Sequence, residues 1–137
     1  MAKNFPKLPK EDLEKIIQTD DGTELLVTYA EKIGEALADR DAPLSTSQIR
    51  AIFGEVRRIE GDWQVDKVRA NRSLILLKPK MAYRAKKEEK KYNKSVGNLT
   101  EVLRDSIDLV NANDKNFTRF VDFFEAILAY HKAHGGN

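Results

Sequence analysis

Residues 44–60 read LSTSQIRAIFGEVRRIE, and they predict the helix around which the rest of the chain is organised. Ser45 followed three residues later by Gln48 is a capping-box pattern, in which both side chains satisfy backbone N–H groups of the first helical turn. The apolar residues beyond it recur every three or four positions and would share one face: Ile49, Ile52, Phe53, Val56 and Ile59. This face is therefore predicted to belong to a core.

Another side of the same predicted helix carries Arg50 and Arg57, two turns apart, with Gly54 between them. Glycine inside a helix costs about 1 kcal/mol relative to alanine, so its presence needs a reason. Two explanations are open. Another backbone approaches between the two guanidinium groups, or a helix crosses at Gly54 and the arginines are merely solvated.

Length and composition predict one helical domain. The chain has 137 residues, of which 41% are hydrophobic and 34% are charged, and this balance suits a single core with charged outer faces. It contains no cysteine, which excludes disulfides, thiolate zinc sites and a cysteine nucleophile. No apolar run approaches the length of about 20 residues that spans a bilayer, and the polar start is unlike a signal peptide. We expect a cytoplasmic protein that does not contact a membrane.

Charge is distributed unevenly along the sequence. Residues 1–47, 48–94 and 95–137 carry net charges of −4, +8 and −2. A basic middle third indicates an electropositive surface, which is typical of proteins that bind a polyanion. The alternative is that folding mixes the signs again, because a block of sequence is not a patch of surface.

In chain order, the patterns predict an all-α protein, a compact bundle of about five to six helices. Residues 1–19 are expected to form a flexible N-terminal arm, in which Leu13, Ile16 and Ile17 could make a short docking helix. Residues 20–137 are predicted to form a single helical domain. One long helix is expected to begin at Gly61-Asp62, to include Val65 and Val68, and to kink or break near Pro79.

The last predicted helix carries an apolar stripe for the core, formed by Phe117, Phe120, Val121, Phe124, Ile127, Leu128 and His131. Phe123 and Tyr130 lie off this stripe, where they could contact another subunit. His131 and His134, with Glu125, could hold a metal ion, but further ligands are missing and the pattern does not favour a site. No metal, no cofactor and no catalytic residue is predicted, so an enzyme is disfavoured.

A basic stripe follows Pro79, because Lys80, Arg84, Lys87 and Lys91 recur at helical spacing. Lys78 and Lys80 bracket the proline, and Leu77, Met81 and Ala85 would face inward. This arrangement could present ammonium groups to a phosphodiester chain. The alternative is a solvated face with Glu88 and Glu89 as partial counterions.

Three strings of residues, in this order, resemble the small subunit of the type III-A CRISPR effector, the Csm complex. They are Ser45-Thr46-Ser47-Gln48-Ile49-Arg50 with Glu55-Val56-Arg57; Leu76-Leu77-Lys78-Pro79-Lys80-Met81-Ala82-Tyr83; and Phe120-Val121-Asp122-Phe123-Phe124-Glu125-Ala126-Ile127 with Ala129-Tyr130-His131-Lys132 and Gly135-Gly136. The resemblance covers residues 20–136. It implies an all-helical, non-catalytic subunit that stacks in several copies along an RNA-guided complex of antiviral defence.

The resemblance also implies partners: guide and target RNA, other small subunits, the backbone subunits that hold the guide, and the large subunit. Six cations that the residue patterns had singled out fall within the matching region. We predict that they contact RNA phosphates: Arg50, Arg57, Arg58, Lys78, Lys80 and Arg84. A purely structural interaction module is the main alternative, and a metal-dependent hydrolase built around His131 and Glu125 is a weaker one.

Overall fold

The computed structural model of the chain describes residues 5–38, 46–92 and 95–135. Over these residues the chain forms six α-helices and no strand, which confirms the predicted all-α bundle. The helices are α1 (Lys10–Gln18), α2 (Thr23–Leu37), α3 (Thr46–Trp63), α4 (Lys67–Tyr92), α5 (Ser95–Asp108) and α6 (Asp114–Ala133). Helix α3 is the one predicted from residues 44–60, although Ser45 and the side chain of Gln48 lie outside the described residues.

Helix α6 is the centre of the bundle, since α1, α2, α3 and α5 all pack against it. Its first turn is capped by Asn113, whose side chain accepts a hydrogen bond of 2.9 Å from the backbone N–H of Asn116. The predicted core stripe is buried except for Leu128, which is half-buried, and Phe123 is buried too, with 0% exposed. The expected contact of Phe123 with another subunit is therefore wrong, because neighbouring helices cover more of α6 than a one-sided stripe requires.

Helices α2 and α6 approach each other closely at Gly34. A Cβ on Gly34 would lie 2.7 Å from the backbone nitrogen of His131 and 2.7 Å from Cβ of Tyr130. At Gly54, by contrast, an added Cβ would meet no described atom within 4 Å, and the residue is exposed. A helix crossing at Gly54 is therefore wrong for the described part of the chain.

Part of the predicted N-terminal arm is packed. Residues 10–18 form α1, and Leu13, Ile16 and Ile17 are buried in the core. Polar contacts add to this burial, because Tyr29 Oη donates to Asp12 Oδ2 at 2.8 Å and Gln18 Nε2 donates to the carbonyl of Leu109 at 2.9 Å. These residues form the docking helix that the sequence allowed and not a free arm. The domain boundary between residues 19 and 20 stays a prediction.

The junction between α3 and α4 is anchored on α6. The ring of Trp63 stacks on Phe117 with centroids 4.1 Å apart, and its Nε1–H donates to Asp114 Oδ1 at 3.0 Å. Lys67 pairs with the same carboxylate oxygen at 2.8 Å. Helix α3 extends to Trp63, one residue beyond the predicted boundary at Gly61-Asp62.

Helix α4 is continuous from Lys67 to Tyr92 and includes Pro79, so the predicted break is wrong, while the alternative of a kink stays a prediction. It packs on α3 and α5 through Ala70, Leu74, Leu77 and Met81, which are buried. Val65 and Val68 were expected to be in this helix. Val65 lies before α4 and Val68 in its first turn, and both are exposed.

Candidate nucleic-acid interface

Helices α3 and α4 pack side by side and bring cations from both around one carboxylate. Arg58 donates a short hydrogen bond to Glu55, three residues earlier on α3. This hydrogen bond holds the pKa of the Glu55 carboxyl below its ordinary value, and the positive charges of Lys80 and Arg84 lower it further. Three of the predicted site residues therefore lie near each other, on two helices.

Arg57 belongs to a different contact, one that joins α3 to α6. Its Nη1–H donates to Glu60 Oε1 at 2.8 Å, and its Nη2–H donates to Glu125 of α6. The guanidinium carbon also lies 4.8 Å from the centre of the Phe53 ring, whose edge meets Phe124. The Glu60 hydrogen bond raises the pKa of Arg57. Arg57 thus stabilises the packing of α3 on α6, although it is predicted as an RNA contact.

Lys78 is also paired within the chain. Its Nζ lies against Asp108 Oδ1 at the end of α5, and its side chain is 31% exposed. This ion pair joins α4 to α5, whereas Lys80 acts on Glu55 of α3. The structure therefore separates Lys78 from Lys80, even though the two residues flank Pro79 in sequence.

Three of the six predicted cations have no carboxylate partner in the part of the chain that the structure describes: Arg50, Lys80 and Arg84. Arg50 is exposed on α3, one turn before Gly54, and Lys80 is exposed on α4. Lys80 and Arg84 act on Glu55 through their charge but form no ion pair with it, and no ion pair to a described residue holds Arg50, so all three side chains remain available to an external anion. The structure thus divides the predicted set into three paired and three unpaired cations.

A line of exposed side chains on α4 was only partly recognised from sequence. We call it the α4 stripe, and it consists of Arg69, Arg72, Leu76, Lys80, Tyr83 and Lys87. Its members recur every three or four residues, so they follow one side of the helix. Sequence reasoning included Lys80 and Lys87 and missed Arg69 and Arg72, although the same spacing extends to them. Lys91, Glu88 and Glu89, which were also named there, have side chains outside the described part of the structure.

The sequence of the chain matches the model of a known protein family. A family model described as Csm2 Type III-A matches residues 20–137. The chain belongs to the Csm2 family. Csm2 is a structural small subunit of the type III-A CRISPR complex, so the resemblance seen in the sequence is confirmed. Searches of curated proteins and of solved structures gave no significant match.

In this Csm2 chain the residues of the weaker metal hypothesis are not brought together. His131 is buried in the core, Glu125 pairs with Arg57, and His134 Nε2 lies 3.8 Å from Glu31 Oε2 of α2. No group of three metal-ligating side chains occurs within residues 5–38, 46–92 and 95–135. Within the same ranges, no helix is both long and apolar enough to cross a membrane.

Proposed function

We propose that this Csm2 subunit binds the RNA of the effector complex through an electropositive face formed by α3 and α4. The observation that carries the proposal is a set of exposed or half-exposed cations with no carboxylate partner among the described residues: Arg50, Arg69, Arg72, Lys80, Arg84 and Lys87. The subunit is non-catalytic, acts in the cytoplasm and stacks with further copies. Its protein partners are the backbone and large subunits, and its RNA partners are the guide and the target.

The binding is independent of RNA sequence. Arginine and lysine neutralise phosphates, while pairing between guide and target strands supplies specificity. Guanidinium groups suit this role because two parallel N–H groups match two phosphate oxygens. The exposed backbone at Gly54, next to Arg50, leaves room for a strand to approach α3 closely.

Arg57, Arg58 and Lys78 take a supporting part in this proposal. Arg57 holds α3 against α6, Arg58 pairs with Glu55, and Lys78 holds α4 against α5. Their ion pairs are solvent-exposed, so each contributes little to stability. RNA phosphates could therefore replace Glu55 as the partner of Arg58 at small cost.

A purely structural module is the second candidate function, and one observation favours it. The outer side of α4 exposes aliphatic side chains, with Val68 83% and Ile75 49% exposed. Exposed apolar residues on one helix are typical of a protein interface. In that case the unpaired cations would meet carboxylates of a neighbouring subunit and not phosphates.

Salt dependence of RNA binding tests the main proposal. For single-stranded RNA, log affinity falls with log salt by about 0.7 per neutralised phosphate. Replacing Arg50, Lys80 and Arg84 by alanine in the full-length chain should weaken binding and reduce the magnitude of this slope by about 2. Lys32→Ala is the matched control, because Lys32 is an exposed cation on α2, which packs on α1 and α6. An unchanged slope in the triple variant contradicts the proposal.

Ultraviolet crosslinking of the assembled complex distinguishes the two candidate functions. RNA adducts within residues 50–87 are expected if the α3–α4 face binds RNA. Adducts confined to protein subunits in that region support the structural module.

A further inference from the structure

We infer that the α4 stripe binds a single-stranded nucleic acid, with an unpaired base stacked on the ring of Tyr83. This inference rests on the proposed RNA contact of the α3–α4 face and adds the class of ligand. The base lies against the phenol ring, and the phosphates on either side of it lie near Lys80 and Lys87.

Tyr83 is available for such a contact. It is 71% exposed and is the only aromatic residue among the large exposed hydrophobic side chains of residues 5–38, 46–92 and 95–135. Its hydroxyl makes no hydrogen bond to a described residue, whereas Tyr29 Oη donates to Asp12. This hydrogen bond raises the pKa of Tyr29 and links α2 to α1. Tyr83 therefore has no comparable role in holding the bundle together.

The neighbours of Tyr83 indicate a polyanion. Lys80 lies three residues before it and Lys87 four residues after it, so the two ammonium groups lie about 10 Å apart along the helix axis. Neither lysine pairs with a carboxylate in the described part of the chain. A flat aromatic ring between two unpaired cations matches a ligand that alternates flat bases with negative phosphates. An acidic peptide offers the charge without the flat bases.

The dimensions and chemistry of the stripe favour a single strand over a duplex. From Arg69 to Lys87 the stripe is about 27 Å long at 1.5 Å per residue. A stacked strand advances about 3.4 Å per nucleotide, so the stripe spans about eight nucleotides. A duplex keeps the faces of its bases inside the stack, whereas an unpaired base can lie on an aromatic side chain.

Binding of matched oligomers tests the inference. The full-length chain would be titrated with three labelled 12-mers: oligoadenylate RNA, an abasic ribose-phosphate strand of equal charge, and an RNA duplex. Stacking on one aromatic ring strengthens binding about fivefold or more, so oligoadenylate should bind at least that much more tightly than the abasic strand. Tyr83→Phe should keep this preference, and Tyr83→Ala should abolish it.

Two further variants separate the inference from the proposed function. Lys80→Ala with Lys87→Ala should weaken oligoadenylate and abasic strand by the same factor, since it removes only charge. Tyr83→Leu keeps the apolar bulk of the side chain without the aromatic ring. It takes the place of Tyr83→Ala in the experiment if Tyr83→Ala unfolds at a lower temperature than the wild type.

The outcomes are distinct. Equal binding of oligoadenylate and the abasic strand by the wild type overturns the stacking contact and leaves phosphate binding intact. Tighter binding of the duplex than of oligoadenylate also overturns the inference. If wild-type chain binds none of the strands, both the inference and the proposed function fail. If polyglutamate of equal charge displaces oligoadenylate completely, the stripe is a surface for acidic protein, which again overturns the inference.

Discussion

Gly34 and Gly54 are both inside helices, but only Gly34 is required by packing. At Gly34 the backbone of α6 occupies the place of a Cβ, and at Gly54 that place is open. Sequence alone could not distinguish these two glycines. It shows that each lacks a side chain, but it does not show which atoms lie opposite that position. A close approach was therefore expected at Gly54, whereas the helices cross closely at Gly34.

Alanine substitutions at the two glycines should change stability in opposite directions. Gly34→Ala should lower the free energy of unfolding by about 2 kcal/mol, because its Cβ would lie 2.7 Å from backbone atoms of α6 that cannot move aside. Gly54→Ala is the matched control and should raise it by about 1 kcal/mol through helix propensity. Urea denaturation followed by circular dichroism measures both. Stabilisation by Gly34→Ala would show that α2 and α6 are not packed this closely.

Two of the candidate cations form ion pairs with other helices. A sequence identifies Arg57 and Lys78 as exposed helix positions, but their partners Glu125 and Asp108 are 68 and 30 residues away. Only the packing of α3 on α6 and of α4 on α5 brings these partners into range. Arg58 pairs with nearby Glu55, but the ion pairs of Arg57 and Lys78 with other helices were beyond sequence reasoning.

Helix α4 was predicted most accurately on its inner face and least accurately at its start and at Pro79. Leu77 and Met81 are buried as their spacing indicated. The start was misplaced, since Gly61-Asp62 was expected to open this helix, whereas α3 continues to Trp63 and α4 begins at Lys67. Proline at position 79 suggested a break, because its ring excludes one helical hydrogen bond, but packing on α3 and α5 keeps the helix continuous.

Pro79 should consequently be a destabilising residue within an otherwise regular helix. Pro79→Ala restores the missing N–H donor and should raise the free energy of unfolding by about 2 kcal/mol. Ala82→Gly, one turn later on the same exposed side, should lower it by about 1 kcal/mol. Thermal unfolding of both variants provides the measurement. A destabilised Pro79→Ala variant would indicate that the bundle depends on the local geometry the proline imposes.

For the whole molecule, several acidic groups join elements that are distant in sequence. Asp20 at the α1–α2 connection binds Arg119 of α6, and Asp114 of α6 binds Lys67 and Trp63. The Arg119 hydrogen bond lowers the pKa of Asp20, and the Lys67 and Trp63 hydrogen bonds lower that of Asp114. These carboxylates bind protons less readily in the folded chain than in the unfolded chain.

Stability should therefore depend on pH with a definite sign. Because the folded-state pKa values are lowered, the stabilisation is fully present above about pH 4, the ordinary range of the carboxyl pKa, and is lost as the pH falls further. Urea midpoints measured from pH 7 to pH 2.5 should stay level and then decline. Asp20→Asn combined with Asp114→Asn should make the decline shallower. An equally steep decline in this double variant would show that other groups determine acid unfolding.

The net charge of each third of the chain predicted only part of the candidate site. The basic middle third contains α3 and α4, which pack together, and an RNA-binding surface on these two helices stays a prediction. It could not indicate that Arg57 and Lys78 turn toward acidic partners in α6 and α5, since those helices belong to the acidic last third. Arg69 and Arg72 were missed because the search for a basic stripe began at Pro79.

The central position of α6 bears on the synthesis of the protein. Residues of α1 to α5 are translated before residues 114–133, and α1, α2, α3 and α5 all pack on α6. The nascent chain thus exposes several uncovered apolar faces until α6 is available, as is expected when a bundle is completed late. Chaperones that bind nascent chains have their longest opportunity on this protein just before α6 emerges.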